Sequence, residues 1–222
     1  MIAPRPFIAA AIVALLANGL AGCRNDQAPP PRYPAPPPPV PGAPLVYYKL
    51  PFVGKWRIVR AHYGASQPDQ AYALDLVPVG GVTDKKQNAG YPCYNQPILA
   101  DAPGIIAVAV DGIPDNRPGV RNAYDAHGNY VVIDHQNGEY SLMAHLMPGS
   151  LKVRPGMRVQ AGMELGRCGN TGASANPHLH WQVMDNVNAH EARGIPPRFA
   201  PYIRNGNTSV DRPDGKDTCE NQ

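Results

Sequence analysis

Two histidines stand one residue apart in Asn176-Pro-His-Leu-His-Trp-Gln-Val-Met184. On an extended strand His178, His180, Gln182 and Met184 fall on one face, and Leu179, Trp181 and Val183 on the other. The second set is the natural core face, so the imidazoles line something else, such as a groove. Side chains at i and i+2 are rooted about 7 Å apart, close enough for both imidazoles to converge on one metal-bound water even when only one binds the metal. A His-x-His pair alone is equally well read as two satisfied histidines. Two more segments shift that balance. Tyr140-Ser-Leu-Met-Ala-His-Leu146 reads as a strand in which strict alternation puts His145 on the face of Ser141 and Met143. Ala71-Tyr-Ala-Leu-Asp-Leu-Val77 places Asp75 in an otherwise apolar strand, where an unpaired carboxylate is costly and a cation is the simplest partner. Asp75, His145, His178 and His180 are therefore the candidates for a metallohydrolase site.

Other combinations carry less. His190-Glu191 begins like a HExxH zinc motif, but Gly194 stands where the second histidine belongs and no helical pattern surrounds it. Asp111 and Asp115 lack the alternating acids of a calcium loop and read as a Pro-containing turn. No GxSxG elbow surrounds a serine. His127 and His190 lie in polar, loop-like segments and are expected to be solvated.

The elements that must position these residues are strands. Residues 56–63, 71–79, 104–110, 129–135, 139–146 and 178–184 are short runs rich in β-branched and aromatic residues, bounded by turn sequences. Asn137-Gly138 between two of the runs predicts a hairpin, with those residues supplying positive φ. No long apolar period of 3.6 appears, so an all-β domain with few short helices is expected.

In order and spacing, YALDL, AVAVDG, GNYVVIDHQNGEYSLMAHL, VRPGMRVQAGMELGRCGNTG and SANPHLHW resemble the lysostaphin and LytM type of zinc endopeptidase, peptidase family M23, over residues 54 to 204. The resemblance implies an antiparallel sandwich or barrel-like fold of the duplicated-hybrid-motif type, and hydrolysis of peptide bonds in bacterial cell walls. It implies one zinc bound by Asp75, His180 and an earlier histidine, with His145 and His178 orienting or deprotonating the attacking water. Three protein ligands leave a position open for water, whose pKa the ion lowers toward about 7. The sequence departs from the family's HxxxD pattern, because Ala71 stands four residues before Asp75. A subgroup with a YALDF-like motif carries its histidine upstream, which points to His62 as the third ligand, brought beside Asp75 by a loop from Gly64 to Gln70. His135 is the rival, and its place at a strand end fits a structural role.

The chain has 222 residues, 43% hydrophobic and 17% charged, with net charge +3. This suffices for one compact domain, and with no Lys/Arg-rich run it argues against a nucleic-acid partner. The N-terminus carries Arg5, an apolar run from Phe7 to Leu16 and then Leu20-Ala-Gly-Cys23. That pattern resembles a lipoprotein signal, which implies removal of residues 1–22 and lipidation of Cys23. Residues 29–44 contain ten prolines and form an extended spacer, about 60 Å for roughly twenty residues at the polyproline II rise. A Pro-rich ligand for a recognition module is the other reading of that composition. The expected organisation is a signal peptide at 1–22, a lipidated cysteine and spacer at 23–45, a peptidase domain at 46–205 and a polar tail at 206–222. Anchoring in the cell envelope, facing the periplasm, is expected. Arg24 favours the outer membrane by resemblance to lipoprotein sorting, and the protein is expected to be monomeric.

With Cys23 reserved for lipid, Cys93, Cys168 and Cys219 leave an odd number in a compartment that permits disulfides. One bridge is expected, Cys93 with Cys219, since both lie in loop or tail segments. Three functions are compatible with the sequence: a membrane-tethered zinc endopeptidase acting on peptidoglycan stems or cross-links, a degenerate binding module that activates another wall hydrolase, or a peptidase for secreted proteins. Ala71 favours the second. The intact Asp75, His145, His178 and His180 favour an enzyme.

Overall fold

The computed structural model describes residues 42–62 and 68–222. The expected signal, Cys23 and most of the proline spacer lie outside the described residues, as does the segment 63–67. Strands β1 (Trp56–Ala61), β2 (Leu74–Pro78), β3 (Pro97–Leu99) and β4 (Gly104–Val110) come first. They are followed by β5 (Asn129–Asp134), β6 (Tyr140–Leu146), β7 (Arg158–Val159), β8 (Glu164–Arg167) and β9 (Leu179–Met184). Four short strands close the chain: β10 (Gly194–Ile195), β11 (Tyr202–Arg204), β12 (Asn207–Ser209) and β13 (Thr218–Asn221). Helical structure among the described residues is limited to two 3-10 turns, Pro68–Gln70 and Asn88–Gly90. The domain is all-β and antiparallel.

One large sheet runs β12-β11-β13-β1-β2-β9-β6-β5-β4-β7, with β10 paired to β9, and β3 and β8 form a separate hairpin-like pair. The alternation of β9 decides which face is which. Leu179, Trp181 and Val183 join Leu74 and Leu76 of β2, Trp56 and Ile58 of β1 and Met143 of β6 in the main core. Tyr48, Leu50 and Phe52, ahead of β1, pack on this core, as do Ile98 of β3 and Leu165 of β8. Each such side chain fully buried contributes about 1.5–3 kcal/mol. A second, smaller cluster of Val132, Leu142, Ala144, Met184, Ala189 and Ala192 occupies the opposite face at one end of β6 and β9. The other face is therefore apolar beyond Gln182 and polar around His180.

Polar groups inside the main core are paired. Asp101 accepts from Trp181 Nε1 at 2.8 Å and from Ser141 Oγ at 2.9 Å. His135 Nε2 contacts Ser141 Oγ at 2.9 Å, and its Nδ1 donates to the Pro103 carbonyl at 2.8 Å. His135 is thus held inside the core as a structural residue, away from Asp75.

Three expectations about the chain differ from the structure. Residues 206–222 are not a tail: β12 and β13 extend the sheet, β13 pairs with both β1 and β11, and Asn221 bonds to the backbone of Leu50 and Phe52. Cys93 pairs with Cys168, with Cα atoms 5.9 Å apart, and not with Cys219. Cys219 alternates inward on β13, where it is a free, fully buried thiol pushed up to about 12 by burial. In the β5–β6 hairpin, positive φ falls on Gln136 and Gly138 rather than on Asn137. Asn137 instead turns its side-chain oxygen to the Glu139 amide.

Candidate metal centre

Asp75 and His180 stand directly opposite each other on β2 and β9, and Ala144 of β6 is the next partner of His180. In that register the Asp75 and His180 side chains share the face away from the main core. Opposed Cβ atoms lie about 4.5–5.5 Å apart, so contact between the two is built into the strand pairing.

His62 and His145 reach the same face through irregularities. Between Ile58↔Leu76 and Arg60↔Asp75, β1 advances two residues while β2 advances one, so Val59 is an extra residue. Such a bulge inverts the alternation after it. Trp56 and Ile58 point into the core, as does Ala61 beyond the bulge, and His62 turns to the Asp75 side. Without the bulge, His62 would share the face of Ile58. The His62 amide donates to the Ala73 carbonyl at 2.9 Å and holds the strand end in place. Approach to Asp75 thus comes from the antiparallel pairing of β1 and β2, whereas the sequence reading assigned it to the loop.

On β6, three residues step from Met143 to Leu146 while β5 steps from Val131 to Asn129. His145 sits in this bulge with φ 64°, a left-handed conformation that costs a non-glycine residue about 1–2 kcal/mol. Met143 and Leu146 face the main core, Ala144 the second cluster, and His145 the cleft beside Asp75. The expectation that His145 shares the face of Ser141 and Met143 is corrected: the bulge breaks the alternation. The backbone is fixed on both sides of the ring, with the His145 amide donating to the His127 carbonyl and its own carbonyl accepting from Gly169.

The result is a compact set around one carboxylate. Asp75 Oδ2 lies 2.9 Å from His62 Nε2, and Oδ1 lies 2.8 Å from His180 Nδ1 and 3.6 Å from His178 Nε2. A carboxylate only accepts, so each close imidazole nitrogen needs a proton or a shared cation between it and the oxygen. His62, Asp75 and His180 offer one ligand atom each, all within 4.8 Å of one another. Two imidazoles and a carboxylate are a donor set that suits zinc. Burial alone would raise the Asp75 pKa, but hydrogen bonds from His178, His180 and His62 hold it well below the usual carboxylate range.

His145 and His178 flank this set, their ring centroids 4.8 Å apart. His145 Nδ1 lies 2.8 Å from the Thr171 carbonyl, and His178 Nδ1 lies 2.9 Å from the Asn176 carbonyl and 3.1 Å from Ser174 Oγ. A carbonyl cannot donate, so in each neutral ring the proton sits on Nδ1 and Nε2 carries the lone pair. Burial, then the neighbouring His178 and His180, holds the His145 pKa well below normal. Burial also pushes His178 down, but its hydrogen bond to Asp75 outweighs this and leaves its pKa raised.

A loop after β8 supplies these anchors. Thr171 is tied to Leu146 and Asn129, while buried Asn170 is tied to Ser174, Asn88 and Asn116. The Cys93–Cys168 bridge sits at the start of that loop. Gly172 has φ 72° and lies so close to Gly128 that a Cβ would fall on the Gly128 amide.

The cleft over the site is lined by all five of these residues together with His127. His127 was expected to be solvated and is half-buried. Its Nδ1 is buried without a hydrogen-bond partner, its ring packs against exposed His190 with centroids 4.8 Å apart and planes tilted by 55°, and burial, then His180 and His190, lowers its pKa to about 4. Sequence offered no signal for it, since its place depends on the long loop before β5 folding over the sheet. Ala71, where a ligand was missing, is buried and does not line the cleft.

The model of Peptidase family M23 matches residues 91–192. Residues 91–192 therefore carry a Peptidase family M23 domain. The matched span contains His145, His178 and His180 and begins after His62 and Asp75, so the candidate ligand set straddles its edge. The peptidoglycan DD-endopeptidase ShyA of Vibrio cholerae is 40% identical over 57 residues, 26% of this chain and 13% of its own. The cell division protein DipM of Caulobacter vibrioides is 29% identical over 115 residues, 52% of this chain and 14% of its own. This chain thus spans about an eighth to a seventh of these relatives' length. A solved structure of the M23 metalloprotease pseudoalterin, from the deep sea, aligns at 20% identity and TM-score 0.48, covering 79% of this chain and 95% of that one.

Proposed function

We propose that this chain is a zinc metalloendopeptidase that hydrolyses peptide bonds in peptidoglycan stems or cross-links. The observation that carries the reading is the convergence of His62, just past the end of β1, with Asp75 of β2 and His180 of β9 on a point flanked by His145 and His178. His62, Asp75 and His180 would hold the metal. Bound there, zinc would polarise the scissile carbonyl and acidify the attacking water.

The protein's own groups handle the protons. The Thr171 carbonyl fixes the His145 tautomer, so Nε2 is free to take a proton from water as the new C–O bond forms. The same tautomer at His178, set by Asn176 and Ser174, presents Nε2 on the other side of the cleft beside Asp75. In its protonated form that imidazole donates to the carbonyl oxygen as negative charge builds. The proton taken from water goes to the leaving amine as the C–N bond breaks. No side chain forms a covalent intermediate in this scheme.

The named activity of ShyA and the M23 domain at residues 91–192 support peptidoglycan as substrate. We further propose that a lipid on Cys23 tethers the domain to a membrane, the outer one by the residue that follows, with the proline segment as spacer. Purified protein incubated with isolated sacculi tests the catalytic reading: new amine termini should appear, and should vanish with a chelator or in His180→Ala. Absence of new termini from metal-loaded wild type would refute it. Loss of metabolic fatty-acid labelling in Cys23→Ser tests the anchor, and undiminished labelling would refute it.

A further inference from the structure

The cleft over the candidate metal centre adjoins a second arm, and the two share Arg60, Asp75, Arg121 and His178 as lining. Charge in the second arm is one-sided. Arg57, Arg60 and Arg121 line it, and Asp75, already engaged by three histidines, is its one acidic lining residue. Among the described residues none of the three guanidinium groups has an ion pair or a hydrogen bond. Arg193, Arg198 and Arg204 pair with Asp185, Glu139 and Asp217, whereas Arg117, Arg154 and Arg158 are unpaired like these three among the described residues, so what sets this arm apart is three free guanidinium groups lining one groove.

The fold puts these cations there on purpose of register. Arg57 and Arg60 are three apart on β1 and would occupy opposite faces of a regular strand. The extra residue Val59 brings Arg60 round to the face of Arg57, directly opposite Asp75. The bulge that aims His62 at the carboxylate therefore also aims Arg60 at the groove. Arg121 approaches from the loop before β5, near enough to His178 to act on its charge. Val59, Val77, Val82, Tyr91 and Pro92 add an apolar wall to the same arm.

We infer that this arm is a carboxylate-binding subsite, in which Arg60 and Arg121, with Arg57 beyond them, seat an acidic group of the peptide while the scissile bond lies over the metal centre. The inference rests on the peptidase reading and names its substrate class: an acidic peptide with a short aliphatic stretch. Guanidinium groups suit it because their planar forks match a carboxylate with two parallel hydrogen bonds. The carboxylate fixes the register of the chain across the cleft, so these are specificity-determining residues, separate from the proton-handling histidines.

The test compares a wall stem peptide carrying free carboxylates with the same peptide amidated. Binding to metal-free protein and cleavage by metal-loaded protein are both measured. Wild type should bind the free-carboxylate peptide roughly tenfold more tightly, with the preference shrinking as salt is added. In Arg60→Gln/Arg121→Gln the ratio of the two affinities should fall to about one, and Arg60→Lys/Arg121→Lys should retain part of it. Equal binding of the two peptides by wild type, a ratio unchanged in the glutamine variant, or binding of neither peptide overturns the inference. Cleavage of both peptides without preference overturns the subsite and leaves the peptidase reading standing. Selective binding without cleavage of either supports the subsite and sinks the peptidase reading.

Discussion

Replacement of His145 by glycine and by alanine separates a bulge residue from an ordinary strand residue by the sign of a stability difference. Both changes remove the imidazole and leave the buried Thr171 carbonyl without its donor, a shared cost of about 1–3 kcal/mol. They differ at the backbone. At φ 64° a Cβ is disfavoured, so glycine at 145 should be more stable than alanine by about 1 kcal/mol. In a regular strand the order is reversed by about 0.5–1 kcal/mol, because glycine has more freedom to lose. Glu220 on β13 provides that control. For a domain of this size the His145→Gly variant should melt roughly 2–4 °C above His145→Ala, and Glu220→Gly below Glu220→Ala. Thermal unfolding followed by circular dichroism in a chelator keeps metal binding out of the comparison. If His145→Ala proves as stable as His145→Gly, the left-handed bulge, and with it the account of how His145 reaches the cleft, is wrong.

Four further outcomes are expected. Loss of the Cys93–Cys168 bridge in Cys93→Ser should destabilise the domain by about 4 kcal/mol from chain entropy for a loop of sequence separation 75, read by urea titration, and should lower cleavage because the loop to Thr171 loosens. Unchanged midpoint and activity would contradict this. Gly172→Ala should lower the melting temperature and impair cleavage, since its Cβ collides with the Gly128 backbone; a neutral substitution would refute the close approach. Cys219, buried and with its pKa pushed up to about 12, should resist alkylation until the protein unfolds, as followed by mass spectrometry of its peptide. His127, with its pKa lowered from 6.5 to about 4, binds its proton more weakly when folded, so its contribution to stability is present above about 6.5 and lost as pH falls toward 4. His127→Gln should flatten the metal-free unfolding midpoint between those values, and an equal acid slope in the variant would count against the assignment.

The residues of the centre were more legible in the sequence than the way they are assembled. Alternation along β9 placed His180 on the face opposite Leu179 and Trp181, and the lone acid in the apolar β2 marked Asp75, because both strands are regular there. Alternation failed at His145, and the loop credited with bringing His62 to Asp75 was not needed, since in both places a one-residue bulge inverts the side-chain faces and leaves no local trace in composition. The rival His135 lies inside the core, bonded to Pro103 and Ser141 and away from Asp75. His127 was misread because its burial comes from a loop packing over the sheet. The Cys93–Cys168 pairing could not be reached from spacing, as it depends on the end of β8 meeting the 91–96 loop. Residues 206–222 looked like a tail because the burial of Cys219 and the bonds of Asn221 are tertiary, made to β1 and to the segment ahead of it.

Metal content most directly tests the claim that His62 completes a His, Asp, His zinc centre. Protein loaded with zinc, then freed of excess and analysed by elemental mass spectrometry alongside cleavage of sacculi, should hold about one ion per chain in wild type, consistent with one open-position site. His62→Ala and His180→Ala should each lose the ion and the new amine termini, while His178→Ala should keep the ion and lose cleavage. A His62→Ala protein that retains its zinc and still cleaves would contradict the account.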